Sequence, residues 1–420
     1  MTVTEAALRA QPHFRRYLAA RAVSVAGTLL TAVVLPVLVY RLTSSAAWTA
    51  AIAAVQALPH LLFALPAGVL AERMDRRRLM AGADVAAAAV LASIPVAWLA
   101  DASSEWHVLG VAFAAQALFV LADAADHRAL PTMVGREGEE TARCAASGTT
   151  RLAELMVPAL AGLAVAIVAP APLLALGAMT AVASALLVRA VGRPLSPSPQ
   201  PGRPAARVEL RAALARGLGV LRSRRSVRVM TLAGVTHAVV GGAWAAMLLP
   251  WADVVLGVAP TGDARLALLV SCWGIGGLIA GGLVPLLRRR LGPIRLARAA
   301  LPASLACGLG VLACTHWLPA VLVGTLWGTA YWVVVGNAVA YRHAVAPEAL
   351  RWRVEECARM LARGVGFPAG AALAGAVATV AGPRAGLAAP LAVLLLGVLL
   401  VWRPLQAPRG AVDGAEATGP

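Results

Sequence analysis

The chain contains no lysine; all 37 of its basic residues other than histidine are arginine. A Walker-type GxxxxGK[ST] loop needs a lysine to reach the phosphates, so ATP-driven work by this chain itself is not expected. Acids are few, 20 against those 37 bases, and charged residues make up only 14% of 420. The five cysteines (Cys144, Cys272, Cys307, Cys314, Cys357) form no CxxC pair and no secreted-disulfide pattern. They lie in or beside apolar runs and read as small buried side chains. There is no HExxH and no nucleophile–base spacing, so no enzyme chemistry, cofactor or metal is expected.

What the chain has is apolar length. Hydrophobic residues make up 60%, and the mean hydropathy is +0.76. A soluble domain of this size could not hide so much apolar surface. About 20 apolar residues cross a bilayer, and about twelve such runs fit. The expected fold is an all-α polytopic membrane protein with helices near 17–40, 46–71, 79–100, 106–131, 142–168, 172–191, 229–256, 264–287, 294–315, 318–341, 354–380 and 385–401. Arg15-Arg16 leads straight into a run long enough to span, so that run is expected to stay as the first helix, not to be cleaved as a signal.

Composition changes once. Pro194, Pro197, Pro199, Pro201 and Pro204 precede a basic amphipathic piece over 207–228. The expected organisation is an N-terminal six-helix bundle (1–191), a cytoplasmic linker (192–228), a C-terminal six-helix bundle (229–404) and a cytoplasmic tail (405–420). The net charge of +17 would ordinarily raise nucleic acid as a partner. Here the arginines cluster in alternate short loops, at 73–78, 136–143, 193–228, 288–298 and 351–359, and few lie elsewhere. Arginine-rich short loops stay cytoplasmic, so both termini are expected inside and no nucleic acid is implied. Trp48, Trp98, Trp106, Trp251 and Trp317 fall near the expected outer helix ends, where indoles favour the interface.

Three landmarks repeat. Gly68 with its arginine loop matches Gly282 with Arg288–Arg290, 214 residues on; Pro131 matches Pro347 at 216; Pro158 matches Pro368 at 210. Near-equal offsets imply two parallel six-helix halves, the design in which bundles rock about a midplane site.

The stretch Gly68-Val-Leu-Ala-Glu-Arg-Met-Asp-Arg-Arg-Arg-Leu-Met80 lies between two spanning runs. As a bare arginine cluster it would be a cytoplasmic anchor. The ordered set Gly68, Leu70, Ala71, Glu72, Arg73, Arg76 is more specific. It resembles the loop 2–3 signature of the major facilitator superfamily, glycine-x-leucine-alanine-acid-arginine followed by a basic cluster. With Asp75 and Arg77 it resembles the branch containing macrolide and enterobactin exporters, as do Gly27, Pro36, Leu42–Ser45 and Arg128–Pro131. The resemblance covers essentially the whole chain. It implies that Gly68, Leu70, Glu72, Arg73, Asp75, Arg76 and Arg77 form a gating motif. Its acid would meet the N-terminal end of helix 11, whose dipole attracts negative charge.

Exporters of the antiporter type carry glycine-proline-x-x-glycine-glycine in helix 5. Here the matching residues are Pro158 and Gly162, without the leading glycine, and their counterparts are Pro368 and Gly370. The resemblance implies close packing of helices 5 and 11; ordinary small-residue packing is the other reading. Carboxylates at membrane depth must face a cavity or a partner. Asp123, Asp126 and Glu154 are the proton-coupling candidates. Structural pairs Asp126–Arg128 and Arg151–Glu154 are the alternative, and Asp123 has no evident neighbour to pair with. Asp84 and Asp253 lie nearer helix ends. Arg21 either tunes such an acid or snorkels to the surface. Trp244, Trp273, Trp327, Tyr331, Phe63 and Phe113, with Gln56, Gln116 and Asn337, are expected to line a substrate cavity by stacking, cation–π contact and hydrogen bonding. Each could instead be packing.

The expectation is a secondary active transporter of the cytoplasmic membrane. It would export hydrophobic drug-like compounds or secondary metabolites, with protons as the coupling ion, as a monomer in the lipid bilayer. The alternatives are a substrate-specific siderophore or natural-product exporter, an importer, or a non-transporting membrane protein of the same fold.

Overall fold

The computed structural model describes residue 8, residues 10–196, residue 219, and residues 225–346 and 351–406. No β-strand occurs among them. The helices are α1 (Pro12–Thr43), α2 (Ala46–Arg73), α3 (Arg76–Leu99), α6 (Pro170–Arg189), α7 (Arg225–Leu256) and α10 (Trp317–Val345). Three longer stretches are each interrupted by one glycine. Glu105–Ile167 breaks at Gly135 into α4 (105–134) and α5 (136–167). Arg265–Ala313 breaks at Gly292 into α8 (265–291) and α9 (293–313). The last stretch begins at Arg351 and breaks at Gly382, giving α11 (351–381) and α12 (383–406).

The breaks have one physical cause. Gly135 (φ 76, ψ 169), Gly292 (φ 74, ψ 162) and Gly382 (φ 82, ψ 170) lie in a backbone region essentially closed to residues with a Cβ. Pro293 and Pro383 follow two of them. At the first helical position a missing N–H costs nothing. Among the described residues, ten helical stretches are long and apolar enough to cross a membrane, and two of these run 49 residues. At 1.5 Å per residue, 49 residues would reach about 74 Å, more than twice the hydrocarbon thickness. Split at Gly292 and Gly382, the ten become twelve membrane-length helices.

The remaining connections are short. Ser44, at φ 47, closes α1 with its N–H on the Tyr40 carbonyl. Only Met74 and Asp75 separate α2 from α3. Asp263 precedes α8, accepting from the Arg265 backbone (2.9 Å) and guanidinium; the guanidinium holds its carboxyl below the usual carboxylate value.

The chain divides into two compact units, Met1–Ala206 with Val258–Ser271, and Arg207–Gly257 with Cys272–Pro420. In the first, Phe14, Tyr17, Leu79, Met80, Leu130, Met133 and Val188 bury one another at one end of the helices. Large apolar side chains such as Val96, Leu99, Ile167, Met179 and Val380 are exposed, as helices bathed in lipid require.

Several expectations are corrected. α1 begins at Pro12 and α7 at Arg225, each earlier than hydropathy alone indicates, because arginine-bearing turns extend the helices beyond their apolar runs. The polar stretch 134–140 is helical apart from Gly135. Trp251 is fully buried against Trp244, not exposed at an interface. Cys144 is exposed and Cys307 partly so, whereas Cys272, Cys314 and Cys357 are buried as expected. Most of the 207–228 amphipathic piece and residues 407–420 of the tail lie outside the described residues.

Gly382 has open space where a Cβ would project, so Gly382→Ala isolates the backbone term. It is expected to cost about 1–3 kcal/mol, read as a lowered midpoint of thermal unfolding in detergent.

Candidate functional site

The α2–α3 turn is built by its own motif. Asp75 caps α3, accepting from Arg78 N at 2.9 Å, and Ser196 Oγ lies 3.4 Å from its other oxygen. Arg76 is buried. Its guanidinium donates to the carbonyls of Ala71 (3.2 Å), Arg128 (2.6 Å) and Leu195 (3.2 Å) and to Thr132 Oγ1 (2.8 Å). Arg77 donates to the carbonyls of Val191 (2.7 Å) and Arg193 (2.6 Å). Two consecutive arginines thus bind the turn to the end of α4 and to the chain leaving α6. Glu72 pairs with Arg128 of α4. Gly68 lies under that same guanidinium: a Cβ there would come within 3.4 Å of it. Arg73 and Leu70 are exposed. The acid's partner within its own unit is therefore an α4 arginine.

The second unit repeats this chemistry. Arg288, at the end of α8, donates to the Asn337 carbonyl on α10 (3.2 Å). Arg342 is buried and grips Glu355 of α11 with two bonds of 2.9 and 3.0 Å. Asn337 is buried as well, and its amide donates to the Pro293 carbonyl at 2.8 Å. It fastens α10 to the start of α9.

At depth in the first unit the acids are paired. Asp126 is buried, in an ion pair with Arg21 of α1, and accepts the Tyr17 hydroxyl at 2.5 Å. Arg21 also donates to Thr150 Oγ1 on α5 (3.3 Å). The expected Asp126–Arg128 pairing gives way to this one: Arg128 goes to Glu72, and Arg21 crosses from α1. Asp123 does have a neighbour, His127 one turn on, with Nδ1 3.3 Å from its carboxylate. Asp123, Asp126 and His127 bring their ligating atoms within 4.8 Å of one another. Glu154 is exposed on α5; its expected partner Arg151 has its side chain outside the described residues. Tyr17, Thr150 and His127 are members of this cluster that the sequence reading missed. Only His127 carried a signal, its i,i+4 spacing from Asp123.

The aromatic candidates separate by unit. Trp244, Trp273, Trp327 and Tyr331 form one cluster. Trp244 and Trp273 stack at 5.3 Å and 6°, Trp327 stands edge-on to both, and Tyr331 lies 4.6 Å from Trp273. Trp244, Trp327 and Tyr331 are buried. The indole N–H groups of Trp273 and Trp327 and Nε2 of the adjacent His237 are buried with no hydrogen-bond partner among the described residues. In the first unit Phe63 and Phe113 meet edge-to-face at 6.0 Å. Gln56 and Gln116 line a small cavity between helices of that unit.

The small-residue positions allow close approach within each unit. A Cβ on Gly162 would lie 2.8 Å from Ala267 Cα, and Gly370 packs on the Val239 backbone of α7. Just before Pro368 the helix widens into a π turn, Met360–Gly366, with Phe367 N–H reaching back to the Ala362 carbonyl. Proline lacks an N–H and crowds the preceding turn, and a π turn absorbs such a defect.

The family model described as "Transmembrane secretion effector" matches residues 3–415. The chain belongs to this family. Its fold is that of the major facilitator superfamily, and it is a transporter, a multi-pass membrane protein handling a small molecule. Similar solved structures include a bacterial homologue of the human lysosomal transporter Spinster in an inward-facing, unoccupied conformation. That match has a TM-score of 0.74 at 13% identity and covers 98% of this chain and 99% of that one. The nucleoside transporter NupG matches at a TM-score of 0.69 and 12% identity, over 97% of this chain and 100% of that one. At such identities the likeness is one of fold. No curated protein matches the chain.

In this transporter Arg21→Leu would leave the Asp126 carboxylate buried without its cation. The expected cost is about 3–5 kcal/mol, measured by thermal unfolding in detergent. The double change Arg21→Leu with Asp126→Leu is expected to recover most of that loss.

Proposed function

We propose that the protein exports hydrophobic drug-like compounds or secondary metabolites across the cytoplasmic membrane by alternating access, in exchange for protons. The observation that carries this reading is the cluster of Asp123, His127, Asp126, Arg21 and Tyr17, ionisable groups gathered on α1 and α4, with Asp126 buried. Charge at membrane depth is costly and is kept where it works. Asp123 is the proton carrier in this reading, with a histidine rather than an arginine beside it. Asp126 and Glu154 serve the same pathway, Asp126 tying α1 to α4. The family description, a secretion effector, supports export over import.

For the substrate, the support is the indole cluster of Trp244, Trp273 and Trp327 with Tyr331. Its faces and unpartnered N–H groups suit a large apolar or cationic guest. Glu72 is the gate latch, exchanging Arg128 for the N-terminal end of α11 as the halves rock. The arginine distribution supports cytoplasmic termini, and one chain carries the whole site, so the working unit is a monomer.

The test is proton-driven export of a fluorescent cationic dye in reconstituted vesicles. Asp123→Asn is expected to abolish accumulation driven by a pH gradient while leaving dye exchange down its own gradient. Full pH-driven transport by that variant would remove Asp123 from the pathway. Glu72→Ala is expected to slow both modes together, since it acts on the gate and not on the proton.

A further inference from the structure

The polar cavity inside the first unit is separate from the Asp123–Asp126 cluster. It lies between α1, α2, α3, α4 and α6, and its polar lining includes Thr28, Thr31, Gln56, Asp84, Gln116 and Thr180. The space open to the centre of a water molecule is about 40 Å³. That holds a few waters and is far too small for a drug-like guest. Three hydroxyl hydrogens are already committed to their own helices: Thr28 to the Ser24 carbonyl (3.0 Å), Thr31 to Gly27 (2.8 Å) and Thr180 to Gly177 (2.7 Å). Their lone pairs are what remain for the cavity.

Asp84 is the sole acid in that lining, and it is buried. Its partner among the described residues is a hydroxyl, Ser184 Oγ of α6, at 2.6 Å. Ser184 Oγ also lies 3.3 Å from the Ala20 carbonyl of α1. This arrangement satisfies both protonation states. With the carboxylate ionised, Ser184 donates to Asp84. With it protonated, the new O–H donates to Ser184 Oγ, and the serine turns its own hydrogen to the Ala20 carbonyl. One proton arrives from solvent by way of the cavity waters, which are left neutral, the serine keeps its hydrogen, and the Asp84–Ser184 pair stays hydrogen-bonded in either state.

We propose that Asp84 is a proton-binding site of this transporter, loaded through the waters of the cavity, and that Ser184 relays its state to α1. The relay reaches the backbone one residue before Arg21, which holds Asp126. Ionisable groups on the packed helices include Tyr17 and Arg21 on α1, His60 on α2, Asp123 and Asp126 on α4, and Arg189 on α6. None of these lines the cavity.

Proton binding at Asp84 stands independently of coupling; its part in transport rests on the antiport reading. Infrared difference spectra of the full-length protein in lipid, stepped in pH, read carboxylic-acid carbonyl bands directly. Asp84→Asn is expected to remove one titrating band. Ser184→Ala, which keeps the acid should Asp84→Asn fold poorly, is expected to keep that band and shift its frequency and midpoint. Asp123→Asn is expected to leave it. A full set of titrating bands in Asp84→Asn overturns the site, as does a band in Ser184→Ala indistinguishable from wild type. A response to sodium at fixed pH equal to that of a pH step also overturns it. In vesicles, Asp84→Asn is expected to lose pH-driven dye export. If wild-type export ignores the pH gradient while the Asp84 band is present, the antiport reading fails and the proton site stands.

Discussion

Hydrocarbon offers no hydrogen-bonding partner, so every polar group that enters it must bring its own. The backbone meets this condition by staying helical along each span, and at Gly135, Gly292 and Gly382 one residue's dihedrals suffice to end a helix. Side chains meet it by pairing. Arg21 carries Asp126, Arg128 carries Glu72, and Arg342 carries Glu355. Helix-end carbonyls take charge as well. Arg76 is buried with four oxygens around one planar group.

That last arrangement gives a physical reading of the missing lysine at this position. A guanidinium presents five donors in a fixed fork, and an ammonium presents three on one atom. Arg76 must reach Ala71, Arg128, Thr132 and Leu195 from one place, and Arg77 joins Val191 to Arg193. These contacts run from the α2–α3 turn to the end of α4 and the chain leaving α6. The turn is thus the knot that holds this end of the first unit. A gate that pulls on Glu72 would pull on Arg128, whose own carbonyl is held by Arg76.

The spans were legible because hydropathy and arginine placement report on the bilayer directly. Helix ends were less so: α1 and α7 run on through arginine-bearing turns whose hydropathy looks like loop. Of the site, the motif turn could be read from its ordered residues, and the Asp123–His127 pair could have been read from i,i+4 spacing. Arg21–Asp126 could not, because the two residues lie on different helices and nothing in either local pattern names the other. Ser184 was hidden for a similar reason. A lone serine in an alanine-rich helix has no signature until Asp84 and Ala20 are seen on either side of it. Asn337 shows a role that its local sequence does not name, since its amide N–H fastens α10 to the Pro293 carbonyl.

The repeat offsets imply two like halves, and the loop arginines behave alike in both, Arg76 holding an α4 carbonyl and Arg288 one on α10. The interiors do not follow that symmetry. Asp84, Asp123 and Asp126 all belong to the first half, while eight of the eleven tryptophans fall after residue 228. The first interior holds carboxylates, hydroxyls and amides around a water-sized space. The second holds stacked indoles with unpartnered N–H groups. A site for small, strongly hydrated charge and a site for a large polarisable guest require opposite surroundings, one wet and one dry. On the proposed antiport reading, placing them in separate bundles lets each keep its own dielectric, and within the first unit α1, which carries Tyr17 and Arg21 and meets Ser184, is the helix that links the acids.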